Sequence, residues 1–136
     1  MTRWSPVPLL AVALLGACSL TEQRDCTVMG GSSGAGFDLS GLPLTDPTSV
    51  RACVGEVCTE AQVGVGTGFV GVDDETLTKE GTVDVSLRVA DAVGSVVFDA
   101  TGTATLHRVD VNGHGCGPIV YRADVVAAAD GTLGAG

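Results

Sequence analysis

The chain has 136 residues, with 16 acidic against 7 basic side chains and a formal net charge of −9. That length suits one domain of ordinary size, and the acidity argues against nucleic acid as a partner, because phosphate backbones repel such a surface. Aromatic residues make up only 4% of the chain, and its single Trp, Trp4, lies near the N-terminus, so the broad stacking platforms common in carbohydrate binders are not expected.

The N-terminus has the layout of a secretory signal. Arg3 supplies a short positive region, and residues 7–15 (VPLLAVALL) form an apolar run that ends in the small pair Gly16-Ala17. As a helix that run spans about 14 Å at ~1.5 Å per residue. This is too short for a hydrocarbon core of ~30 Å, and no later stretch is longer and as apolar. Leu15-Gly16-Ala17-Cys18 resembles the lipobox of bacterial lipoproteins. The resemblance implies diacylglyceryl transfer to the Cys18 thiol, cleavage before Cys18, and a membrane anchor of acyl chains such as palmitate. Each buried methylene contributes about 0.8 kcal/mol, and two chains anchor stably. The expected division is a signal peptide over 1–17, a lipidated tether and linker over 18–36, and a folded domain over 37–136.

Four cysteines remain beyond Cys18: Cys26, Cys53, Cys58 and Cys116. An even number in an exported chain predicts a disulfide framework. Residues 19–25 are polar and charged, as a tether is, and residues 29–36 (MGGSSGAG) have a linker's composition. Phe37-Asp38-Leu39 alternates as a first strand would, and Pro43 and Pro47 then mark a loop.

The clearest local structure covers 50–65. Val50, Ala52 and Val54 alternate with Arg51 and Cys53. Beyond Gly55-Glu56 the alternation resumes through Val57, Thr59, Ala61, Val63 and Val65. A two-residue turn with Gly first suits a primed hairpin. In that register Val54 faces Val57, Cys53 faces Cys58 and Arg51 faces Glu60. Cys53 and Cys58 fall on a non-hydrogen-bonded pair, where Cα atoms approach to about 4.5 Å, within disulfide reach. Arg51 and Glu60 form a cross-strand ion pair. Cys26 is left to pair with Cys116.

Further along, residues 66–72 (GTGFVGV) read as a glycine-interrupted strand, and 73–81 as a polar connection. Val83, Val85, Leu87 and Val89 alternate with polar residues, the mark of a half-buried strand. Asp91-Ala92-Val93-Gly94 turns the chain, and Val96-Val97-Phe98 returns. From Thr103 the apolar parity runs through Ala104 and Leu106 and then switches to Val109 and Val111, which predicts a β-bulge near His107-Arg108. Ile119, Tyr121, Ala123 and Val125 form a last strand before the Asp130-Gly131 turn.

Seven to eight short strands with regular turns and no helix predict an all-β fold, an antiparallel β-sandwich. Ser49-Val50-Arg51-Ala52-Cys53-Val54, Val96-Val97-Phe98-Asp99 and Gly102-Thr103-Ala104-Thr105-Leu106, together with the lipobox, resemble small actinobacterial lipoproteins with an immunoglobulin-like or transthyretin-like sandwich. That family carries no assigned activity, so the resemblance implies a fold and an anchor but no site residues.

Motifs for chemistry lack their structural context. Gly30-Gly31-Ser32-Ser33-Gly34 matches G-x-S-x-G, but a nucleophile elbow needs a strand before the Ser and a helix after it. Gly66-Thr67-Gly68-Phe69-Val70-Gly71 matches G-x-G-x-x-G, but in a strand pattern rather than at the start of a helix. His107 and His114 are the two histidines. His114 with Cys116 falls short of the four ligands of a closed zinc site. Asp73-Asp74-Glu75 would alternate in direction along a strand, which suits a solvated loop better than calcium. No catalytic residue, metal site or cofactor is assigned. The expectation is a non-catalytic binding or scaffolding protein, lipid-anchored on the extracytoplasmic face of the cell membrane, with an envelope protein as partner. A small envelope hydrolase is the competing reading.

Overall fold

A computed structural model describes residues 26, 29–44, 48–64 and 68–136. The expected signal segment, the lipobox and Cys18 lie outside the described residues. The strands are β1 (Gly34–Asp38), β2 (Thr48–Val54), β3 (Val57–Val63), β4 (Phe69–Asp73), β5 (Gly81–Ala90), β6 (Val96–Asp110), β7 (Ile119–Ala127) and β8 (Leu133–Ala135). Among the described residues there is no helix, as the alternating patterns predict.

The strands join in one eight-stranded sheet of order β3-β2-β5-β6-β7-β1-β4, with β8 paired to β7. The two ends of that order, β3 and β4, come together without pairing, so the sheet curls nearly into a barrel. One expectation needs correction: the sheet is mixed, because β1 runs parallel to β7. No hairpin joins these two strands, so no turn imposes an antiparallel direction on them. A second correction concerns β6. It carries no register shift near His107. Instead it pairs with β5 as far as Leu106 and with β7 from His107 onward. The change of apolar parity marks a change of partner. The irregularity lies earlier, where Val89 pairs with Phe98 but Ala90 pairs with Val96.

Inward positions on these strands supply one core. Phe37, Leu39, Val50, Val54, Val72, Leu87, Val89 and Val125 are all fully buried. Each such side chain contributes about 1.5–3 kcal/mol on leaving water. The opposite faces point outward, because successive side chains alternate in direction, and they mix polar residues with exposed apolar ones such as Phe69 and Ile119.

The glycine-rich segment is structured from Gly34, not from Phe37. Gly34 has φ +149°, and a Cβ there would collide with the carbonyl oxygen of Val72. A glycine lets β4 pair at this distance. Gly36 faces outward yet is buried, because the Phe69 ring lies over it. A Cβ built on Gly36 would stand 2.6 Å from Cε2 of that ring. An aromatic ring thus covers glycine backbone that has no side chain of its own.

The segment before β1 is strapped to the β6–β7 connection. Cys26 is bonded to Cys116. The Met29 amide donates to Asn112 Oδ1 at 2.8 Å, and Asn112 Nδ2 donates back to the Met29 carbonyl at 3.1 Å. The Tyr121 amide donates to Ser33 Oγ at 3.0 Å. Composition alone suggested a loose linker here. Side-chain caps from the neighbouring loop and strand override it.

Candidate functional site

The β2–β3 hairpin builds the first half of the site. Gly55 has φ +56°, and among the described residues no non-glycine residue, Glu56 included, has positive φ. The turn is therefore type II′, the kind whose first central residue is glycine. The register pairs Val54 with Val57, Cys53 with Cys58 and Arg51 with Glu60, as the alternation predicts. Cys53 and Cys58 are disulfide-bonded with Cα atoms 4.1 Å apart. The turn is tied to the next strand by the Gly55 amide, which donates to the Asp84 carbonyl at 2.8 Å.

The second half comes from β5 and β6. Arg88 stands opposite Arg51 on one side and Asp99 on the other. The outward face therefore carries one straight row across four strands: Glu60, Arg51, Arg88, Asp99. Arg51 Nη1 lies 3.2 Å from Glu60 Oε1, and Arg88 Nη2 lies 3.0 Å from Asp99 Oδ2. Arg51 Nη2 also reaches Cys58 Sγ at 3.7 Å, so the guanidinium lies along the disulfide. All four charged side chains are at least half exposed.

Two shallow depressions flank this row. One, of about 450 Å³, lies beside Ser49, Glu60, Gln62 and Ala90; the other, of about 300 Å³, lies beside Cys53, Ser86, Asp99 and Thr101. Small hydroxyl side chains line the floor, and the two arginines rise between them. Like charges directly opposite on a sheet repel and cost stability. Here an acid at each end offsets that repulsion. The result is a positive centre with negative flanks, open to solvent and ringed by hydrogen-bonding groups. It suits recognition of a polar surface through ion pairs and hydrogen bonds. No histidine lines it, and Cys53 and Cys58 are held in their bridge.

The other sequence candidates lie elsewhere. His107 is exposed on β6. His114 is exposed in the β6–β7 connection, with Nδ1 3.7 Å from Asp110 Oδ2. Neighbouring Cys116 is held in its bridge to Cys26. Among the described residues no group of three or more His, Cys, Asp or Glu side chains is placed to hold a metal ion. Asp73, Asp74 and Glu75 diverge: Asp73 Oδ1 lies 3.9 Å from Arg122 Nη1, while Asp74 Oδ1 accepts from the Thr76 amide and hydroxyl at 3.0 and 2.6 Å. Ser32 precedes a strand rather than a helix, and the Phe69-Val70-Gly71 end of the second glycine motif lies within β4.

Arg51, Glu60 and the cysteines are legible in the sequence as site residues, and Arg88 and Asp99 are not. Their signal is present in the strand alternation, which puts both on outward faces. Pairing them across the β5–β6 hairpin requires its register. No family model, curated protein or solved structure matches the chain.

Proposed function

We propose that this protein is a lipid-anchored module of the cell envelope that binds another envelope component without chemistry of its own, and that the outward face of β3, β2, β5 and β6 is its binding surface. The observation that carries this reading is the juxtaposition of Arg51 and Arg88 on neighbouring strands. In a chain of net charge −9, two of seven basic residues are spent side by side on one open face. A merely solvated face has no need of such a pair. Lipidation of Cys18 and extracytoplasmic location belong to the same proposal and rest on Leu15-Gly16-Ala17-Cys18. So does the kinship with small actinobacterial lipoproteins of the immunoglobulin-like or transthyretin-like sandwich type.

Site-specific photocrosslinking in intact cells tests it. A photoreactive residue in place of Ser86, on the face, should give one discrete adduct. The adduct should vanish when Arg51→Glu and Arg88→Glu are added while circular dichroism stays unchanged. An equal adduct from Ala129, which is exposed well away from the row, would overturn the assignment of the face.

A further inference from the structure

A second outward surface lies on β1, β4 and β7. Register places Gly71, Gly36 and Asp124 in one row across it, and Phe69, Asp38 and Val126 in the next. Phe69 is 56% exposed, although its ring covers Gly36. One side of the ring thus meets glycine backbone while the rest is open. An open groove of about 520 Å³ runs beside it, and its polar side chains are Asp38, Ser40 and Asp124. Among the described residues no Lys or Arg lines it. The Asp38 carboxylate is held ionised, with its pKa below the usual value, by the Ser40 hydroxyl and then the Ser40 amide, which donates to Oδ1 at 2.9 Å.

We infer that this groove is a docking site for a cationic side chain, a guanidinium or ammonium group presented by a basic polypeptide segment. A cation over an aromatic face is attracted by the ring quadrupole. Two carboxylates beside the ring, with no basic side chain among the described residues lining the groove, supply the charge complement. Phe69 is also the one aromatic among the exposed large apolar side chains of the described residues. Burying it against the aliphatic stem of a Lys or Arg covers apolar surface while the charged head stays near the acids. The site is separate from the arginine row and stands or falls independently of it.

The test is titration of the isotope-labelled protein with a short peptide carrying one arginine, followed by NMR. The amides of Gly36, Gly71 and Asp124 should shift and saturate. The same peptide with citrulline, which keeps the shape and loses the charge, should bind far more weakly. Phe69→Leu keeps an apolar cover over Gly36 but removes the ring and should weaken binding about two- to fivefold, the size of an exposed cation–π contact. Asp124→Asn leaves the ring in place and should weaken it comparably. Equal binding of the citrulline peptide would overturn the inference. So would shifts unaffected by both variants, or a neutral oligosaccharide that produces the same shifts more strongly.

Discussion

Arg51 and Arg88 stand directly opposite one another on β2 and β5, and each leans outward to an acid on the next strand, Glu60 or Asp99. The four charges form one unit, so removing the acids should expose the repulsion between the bases. Glu60→Gln with Asp99→Asn is expected to cost about 0.5–1 kcal/mol at low salt. Most of that loss should disappear near 1 M salt, where the screening length falls to ~3 Å. Urea unfolding at the two ionic strengths checks this, and a loss independent of salt would refute it.

The two disulfides differ in the loop they close. Cys26–Cys116 spans a sequence separation of 90, and Cys53–Cys58 one of 5. Chain entropy predicts that Cys26→Ser with Cys116→Ser costs about 4.6 kcal/mol, and that opening the short hairpin bridge costs about 2 kcal/mol. Thermal melts of the two double variants should rank in that order. Non-reducing peptide mapping should find the same two pairs in protein isolated from cells.

Gly34 and Gly36 occupy the same face of β1 but meet different neighbours. A Cβ on Gly34 meets the Val72 carbonyl, while one on Gly36 meets the end of the Phe69 ring. Backbone cannot swing aside and a side chain can. Gly34→Ala should therefore cost about 2 kcal/mol or more, combining the clash with an unfavourable φ. Gly36→Ala should cost less and raise the accessibility of Phe69. Chemical denaturation of both variants decides the ranking.

Cys18→Ala is expected to leave the precursor uncut or release the protein from the membrane fraction. Intact-mass measurement of the membrane-extracted wild type should show the added diacylglyceryl group. Its absence would remove the basis for surface anchoring.

Asp38 and Asp130 are both held below the usual carboxylate value. The Ser40 hydroxyl and then its amide do this for Asp38; the Thr132 hydroxyl and then its amide do it for Asp130. A lowered folded pKa favours the folded state while the group is ionised. That contribution is complete above the ordinary value of 3.8 and is lost as pH falls through the lower folded value. Ser40→Ala and Thr132→Ala should therefore flatten the loss of stability below about pH 4 and leave its pH dependence at neutrality unchanged. Urea midpoints across the acid range test this.

What could be read from the sequence follows how local its cause is. The β2–β3 hairpin was legible because its turn, cysteines and ion pair lie within a few residues of each other. Arg88 opposite Asp99 was not. Counting back from the Ala90–Val96 pair beside the turn places Arg88 opposite Phe98, and the irregularity at Val97 moves the pairing by one to Asp99. The Gly34–Gly36 start of β1 was hidden, because glycines that permit close approach have the same composition as glycines in a linker. β8, at only three residues, is too short to show alternation. The parallel β1–β7 pairing is set by the whole core, and no local pattern encodes it.

The strap between Cys26 and Cys116 also decides how the molecule carries tension. A pull on the N-terminus against the far end of the chain passes from Cys26 across the sulfurs to Cys116 and on through β7. The backbone between the two cysteines, which holds β1 to β6, is bypassed and cannot be drawn out while the bridge holds. Only reduction of the bridge would let those six strands add to the extended length, so the oxidised protein is a short leash and the reduced one a long extensible one.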